Sequence, residues 1–153
     1  MTHRKYMHFV VVAILMSFGI WHGAHQPQAR AQETNITVRD AYAAVQRGEM
    51  VLIDIRAPKE WQQSGIASVA EPITMYQPTS AFLSKINAVM EKRSSKTIAL
   101  ICAKGGRTLF LQRKLKKLGY TNILNVTGGM FGTNRHVGWL GAKLPIRKWT
   151  PKP

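Results

Sequence analysis

The chain has 153 residues, 45% of them hydrophobic, with 22 Lys and Arg against 7 Asp and Glu and a formal net charge of +15. That length is enough for one domain with a proper core and excludes two. The single cysteine, Cys102, excludes an internal disulfide.

Arg4 and Lys5 precede an apolar run from Phe9 to Trp21, 13 residues long, followed by a polar stretch with Pro27 and the small-x-small sequence Ala29-Arg30-Ala31. A positive start, a short apolar centre and an A-x-A ending describe a secretory signal peptide over residues 1–31, leaving residues 32–153 as the mature domain. Spanning a bilayer takes about 20 apolar residues, so a retained anchor is the lesser alternative and stable membrane insertion after cleavage is not expected. The expected location is exported, in a bacterial periplasm. His22 and His25 fall in the removed piece, and no metal is expected. Cleavage removes Arg4, Lys5 and Arg30 and none of the acids, so the remainder stays strongly basic. Such a field attracts anions. Export argues against nucleic acid as the partner, and a plain solvated basic surface is the competing reading.

In the domain, Asn35 to Thr37 reads as a short first strand, with Thr37 as N-cap of a helix through Asp40 to Gln46 that ends near Gly48. Ala41, Ala44 and Val45 form its apolar stripe. Met50 to Ile55 is a continuous apolar run of the kind that fills a central parallel strand, interrupted near its end by Asp54. A carboxylate there is costly unless its oxygens accept hydrogen bonds, so organising the neighbouring backbone is favoured over acid or base work. Pro58 begins a turn that holds Glu60 and Trp61, the latter read as core rather than as a substrate platform. Thr79 or Ser80 is expected to cap a helix with Phe82, Leu83, Ile86, Val89 and Met90 on one face, and Glu91 to Lys96 reads as a polar loop.

Thr97 to Ile101 is the next buried strand, and Cys102 stands at its C-terminal end. From Leu109 the positions Leu111, Leu115 and Leu118 recur at helical spacing and Gly119 supplies a stop, so Ala103 to Gly106 is a strand-to-helix turn. Two adjacent glycines let backbone N–H groups turn inward around a small anion, at the sheet edge where α/β proteins bind ligands. The helix N-terminus, the amides, Lys104 and Arg107 all favour thiolate over thiol, which makes Cys102 the candidate nucleophile against the bland reading of a small buried hydrophobe. Asn122 to Val126 forms a final strand, Gly128 to Gly132 turns the chain, and Trp139, Leu140, Leu144 and Ile146 pack the tail. Strands alternating with helices predict an α/β fold, with a mostly parallel central sheet flanked by helices on both faces.

The run C-A-K-G-G-R resembles the active loop of the rhodanese-like sulfurtransferases, with Cys102, Gly105 and Arg107 in that family's positions. V-L-I-D-I-R-A-P-K-E-W upstream looks like the family's strand ending in Asp-x-Arg followed by Glu and an aromatic, here Asp54, Arg56, Glu60 and Trp61. Gly128 and Gly129 match its last turn, and Gly138, Trp139 and Pro145 its usual ending, so the likeness spans about 36–146. One departure stands out: Gly65-Ile66-Ala67-Ser68-Val69-Ala70 replaces the family's His-Ile-x-Gly-Ala-like stretch, and the third strand is expected to start differently.

The resemblance implies a single rhodanese-like domain and an ion pair between Arg56 and Glu60 as scaffolding. It also implies sulfur transfer through a Cys102 persulfide, from an anionic donor such as thiosulfate to a thiol, cyanide or protein acceptor, with no cofactor. The amides of Ala103, Gly105, Gly106 and their neighbours would stabilise the negative sulfur, and Lys104 and Arg107 would hold the donor. Lys104 is equally readable as an ordinary surface lysine. A cysteine phosphatase or arsenate reductase is the enzyme rival, but related loops of that kind place five residues between cysteine and arginine and this one has four. A persulfide carrier or binding module serving one partner is the other rival. Thioredoxin-type exchange needs a second cysteine, which is absent.

Overall fold

A computed structural model describes residues 34–93 and 97–151. The expected leader, 1–31, lies outside the described residues, among which no helix is long and apolar enough to cross a membrane. The chain runs β1 (Asn35–Ile36), α1 (Val38–Gln46), β2 (Val51–Asp54), α2 (Pro58–Ser64), β3 (Ile66–Ala67), β4 (Ala70–Pro72), α3 (Thr79–Lys92), β5 (Ile98–Ile101), α4 (Gly106–Lys117), β6 (Ile123–Val126) and β7 (Ile146–Arg147). Five strands form one sheet in the order β1-β6-β5-β2-β4, every pairing parallel, and β3 pairs antiparallel with β7 in a separate ribbon.

The central strands β2 and β5 are apolar but for Asp54 at the end of β2, because both faces of the sheet are covered. Every residue of β2 and β5 is buried. Successive side chains alternate between faces. Leu52, Ala99, Ile101 and Val126 join a cluster with Val38, Ala41 and Ala44 of α1 and with Met130, Trp139 and Ala142. Val51, Ile53, Ile98, Leu100 and Ile123 point the other way, into a cluster with Phe82 and Ile86 of α3 and Leu115 of α4. Each such buried Ile or Leu contributes on the order of 2 kcal/mol.

The helix signals divide into two kinds. Thr37 caps α1 as expected, accepting the Asp40 N–H at 3.2 Å. α3 begins instead with Pro78 at the N-cap and no side-chain cap, and it runs through Lys92 into the stretch read as loop. α4 starts at Gly106, three residues ahead of its first apolar position, and Leu118 lies outside it and is 56% exposed. β7 has no counterpart in the expected elements, while β3 (two residues) and β4 (three residues) divide the segment where one third strand with a different start was expected. β3 occupies the stretch where the sequence departs from the pattern it otherwise resembles, and its Ile66 and Ala67 are fully buried. Trp61 is core, as expected, at 3% exposure, with the Trp149 ring 5.2 Å away.

Candidate functional site

Because the main sheet is parallel, β2, β5 and β6 all end on one side, and their continuations meet there. Asp54 and Arg56 follow from β2, Cys102 from β5, and the turn through Gly128 and Gly129 from β6. The last of these packs directly under the cysteine loop. Met130 N–H donates to the Cys102 carbonyl at 2.8 Å and Phe131 N–H to that of Ala103 at 2.9 Å. Gly129 has φ +57°, and a Cβ on it would stand 2.4 Å from the Cys102 oxygen. Only glycine permits that approach.

Cys102 is 1% exposed and borders the α3–α4 side of the core. Its sulfur is nevertheless hydrogen-bonded: the Gly105 N–H donates to Sγ at 3.2 Å. Gly105 is also the N-cap of α4, in the left-handed region at φ +95°. The loop therefore turns back on itself so that the start of the helix faces the sulfur, which favours negative charge there. Among the hydrogen bonds of the described residues, Gly105 supplies the one amide that reaches Sγ; Ala103 and Gly106 shape the loop without doing so.

Thr108, which the sequence reading did not single out, closes the loop from below. Its Oγ1 lies 3.6 Å from Sγ, donates to the Gly105 carbonyl at 2.7 Å, and also contacts Asn125 Oδ1. Thr108 is fully buried. The available signal was its place in the first turn of α4, three residues after the N-cap, where a hydroxyl meets loop backbone.

The two cations of the loop behave differently. Lys104 is exposed and carries no ion pair among the described residues. Arg107 is engaged: Nη1 and Nη2 grip Glu60 at 2.7 and 2.6 Å, and Nη1 donates to the Tyr76 hydroxyl at 3.2 Å. The hydrogen bonds to Glu60 raise the Arg107 guanidinium further above its ordinary value, and those from Arg107 hold the Glu60 carboxyl below its usual range. Arg107 thus ties α2, the loop after β4 and the N-terminus of α4 together, and its charge is neutralised.

The expected Arg56–Glu60 ion pair is absent. Arg56 is held by Asp54 instead, with Nη2 to Oδ2 at 2.7 Å and Nε to Oδ1 at 3.0 Å, both residues wholly buried. Arg56 also donates to Ser64 Oγ and the Gly65 carbonyl, each at 2.7 Å. Asp54 Oδ1 accepts the Arg56 backbone N–H at 3.1 Å, the backbone-organising role read from the sequence. Glu60 meanwhile accepts the Ala57 N–H at 3.0 Å and closes on Arg107. Among the described residues no group of three or more His, Cys, Asp or Glu side chains stands close enough to hold a metal ion.

A parallel sheet whose central strand delivers a hydrogen-bonded cysteine to the start of a helix defines an α/β cysteine-loop domain. The model of the rhodanese-like domain family matches residues 37–136, and the chain belongs to that family. An uncharacterized protein of Rickettsia rickettsii is 27% identical over 116 residues, covering 72% of this chain and 94% of that one. A rhodanese-related protein from Thermoplasma volcanium superposes with a TM-score of 0.54 at 23% identity, over 75% of this chain and 98% of its own. A protein of unknown function from Rhodopseudomonas palustris, described as a possible tyrosine phosphatase, gives a TM-score of 0.57 at 23% identity over 75% and 85%. These two likenesses are of fold.

Proposed function

We propose that this rhodanese-like domain is a sulfurtransferase working through a Cys102 persulfide. The observation that carries the reading is the Gly105 N–H on Cys102 Sγ at 3.2 Å, at the N-cap of α4, which stabilises a sulfur anion in place. The Cys102 thiolate attacks the outer sulfur of a donor such as thiosulfate. An Sγ–S bond forms, the donor's S–S bond breaks, and its electron pair leaves with sulfite. An acceptor thiolate or cyanide then attacks the outer sulfur of the persulfide, and the bonding pair returns to Cys102 as thiolate. No external oxidant or reductant enters the cycle.

The Rhodopseudomonas palustris neighbour makes a cysteine phosphatase the enzyme rival. Two features speak against it: four residues separate Cys102 from Arg107, and Arg107, which would have to clamp an oxyanion, is bound bidentately to Glu60. A narrow approach to a nearly buried cysteine suits one sulfur atom better than a tetrahedral phosphate. The same neutralised arginine leaves Lys104 as the loop cation without an ion pair among the described residues, which favours a partner recognised by more than its negative charge.

The test is steady-state transfer of sulfur from thiosulfate to cyanide, with the intact mass recorded after donor alone. The protein should gain one sulfur atom and turn over, while Cys102→Ser does neither. Sulfur uptake without turnover would mark a dedicated carrier, and an unchanged mass would remove the proposal.

A further inference from the structure

We infer that the groove between α3 and α4 docks an acidic, amphipathic segment of the protein that exchanges sulfur with Cys102; the partner's role rests on the sulfur-transfer reading, the surface does not. The groove encloses about 170 Å³ and is lined by Met75, Leu83, Phe110, Lys114 and Leu118 over a floor that includes Phe82 and Leu115. Phe82 is 4% exposed and Leu115 1%, whereas Phe110 is 53% and Leu118 56% exposed. A buried floor with an exposed apolar wall on the α4 side and the half-buried Met75 and Leu83 opposite is the shape that receives a helix's apolar stripe.

Charge selects the occupant. Among the described residues, no acidic one lines the groove. Phe110, Lys114, Lys117 and Leu118 fall at i, i+4, i+7 and i+8, and α4 also carries Arg113 and Lys116 with no acid anywhere along it. The Lys114 ammonium lies 4.7 Å over the Phe110 ring, so apolar and cationic recognition share one spot. On the facing side Lys85 donates to Gln77 Oε1 at 2.8 Å, placing a second cation by the same groove. An anionic lipid surface would also answer that charge, but a membrane takes up protruding apolar side chains, and here the apolar surface is concave.

Position links the groove to the site. Tyr76, between the lining residues Met75 and Gln77, is 61% exposed and accepts from Arg107 of the cysteine loop. Phe110 is one helical turn beyond Arg107, and from Phe110 to Leu118 the wall extends about 12 Å, two turns of a docked helix. A segment seated there places the chain leading from it beside Cys102.

The experiment uses the full chain and two synthetic helical peptides with leucines at i, i+4 and i+7, one otherwise rich in Glu and the other in Lys, each ending in one cysteine. The Glu peptide should bind, more weakly as salt rises, and should take sulfur from the Cys102 persulfide roughly tenfold faster than free cysteine, through raised local concentration. Phe110→Ser and Lys114→Glu should each remove that advantage and leave thiosulfate-to-cyanide turnover unchanged. Equal binding by both peptides, or by all three proteins, overturns the proposal. So does binding to phosphatidylglycerol vesicles, or self-association in sedimentation, that Phe110→Ser abolishes in place of peptide binding. Peptide binding that obeys the variants while Cys102 takes up no sulfur refutes the sulfur-transfer reading and leaves the docking surface standing.

Discussion

Two arginine–carboxylate pairs stand behind the cysteine loop, and they do different work. Asp54 and Arg56 are two residues apart, 2.7 Å in contact and 0% exposed on both sides. Glu60 and Arg107 are 47 residues apart, 2.6 Å in contact, and 28% and 27% exposed. The first pair is built where β2 ends, and its arginine reaches two further acceptors, Ser64 Oγ and the Gly65 carbonyl. Buried charge is tolerable there because nearly every donor is met. The second pair joins distant parts of the chain at the mouth of the site, in partial contact with water. One is a fixed joint of the scaffold and the other is a clasp.

The largest effect should come from breaking the joint. Asp54→Ala leaves the Arg56 guanidinium buried without its counter-charge, in a place where 0% of either side chain meets solvent. Removing one partner of such a pair costs about 3–5 kcal/mol. Glu60→Gln keeps a hydrogen-bonding side chain at a partly solvated position and should cost only about 1 kcal/mol, since solvent screens the lost charge. Urea midpoints of the two variants measure the gap, and equal losses would erase the distinction between joint and clasp.

The joint was half legible in the sequence. Asp54 ends a continuous apolar run, and a lone carboxylate there announces a structural acceptor. Its partner was misassigned because the family resemblance implied an ion pair between Arg56 and Glu60, four residues apart across the turn begun by Pro58. Arg56 however precedes α2, whose N-cap is Ala57, so helical spacing does not govern it. Arg107 is bound by Glu60 and Tyr76, partners 47 and 31 residues away, contacts that only the assembled sheet creates. Local pattern served the parallel sheet well, because burial on both faces writes itself into V-L-I-D and I-A-L-I. It failed for β3 and β7, which have two residues each and too few positions to show a period. It also placed the start of α4 late, since Gly106, Arg107 and Thr108 offer no apolar position and a glycine opens the helix.

The clasp can be sharpened by what it does to substrate. In the wild type the Arg107 charge is neutralised by Glu60, and Lys104 is the loop cation left without an ion pair among the described residues. Glu60→Gln removes the counter-charge and leaves the guanidinium with the Tyr76 hydroxyl 3.2 Å away. On the sulfur-transfer reading, the KM for thiosulfate should then fall by roughly threefold, the scale of one screened charge contact of under 1 kcal/mol. An unchanged or higher KM would mean that Arg107 acts only as a strut.

The same clasp sets an acid limit on its own contribution. The Arg107 hydrogen bonds hold the Glu60 carboxyl below its ordinary value of 4.5, aided by the Ala57 N–H and opposed by partial burial. With the folded pKa below the unfolded one, the unfolded chain binds the proton more readily through this range, so the stabilisation is fully present above about pH 5. It drains as the pH falls through the folded value. The difference in urea midpoint between wild type and Glu60→Gln should therefore stay level from pH 8 to about 5 and close below about 4. The Arg107 side of the pair cannot produce such a change, because a guanidinium keeps its proton across the whole range. A gap that persisted in acid would show that Glu60 acts there through shape and hydrogen bonding, and the clasp would then be a second joint.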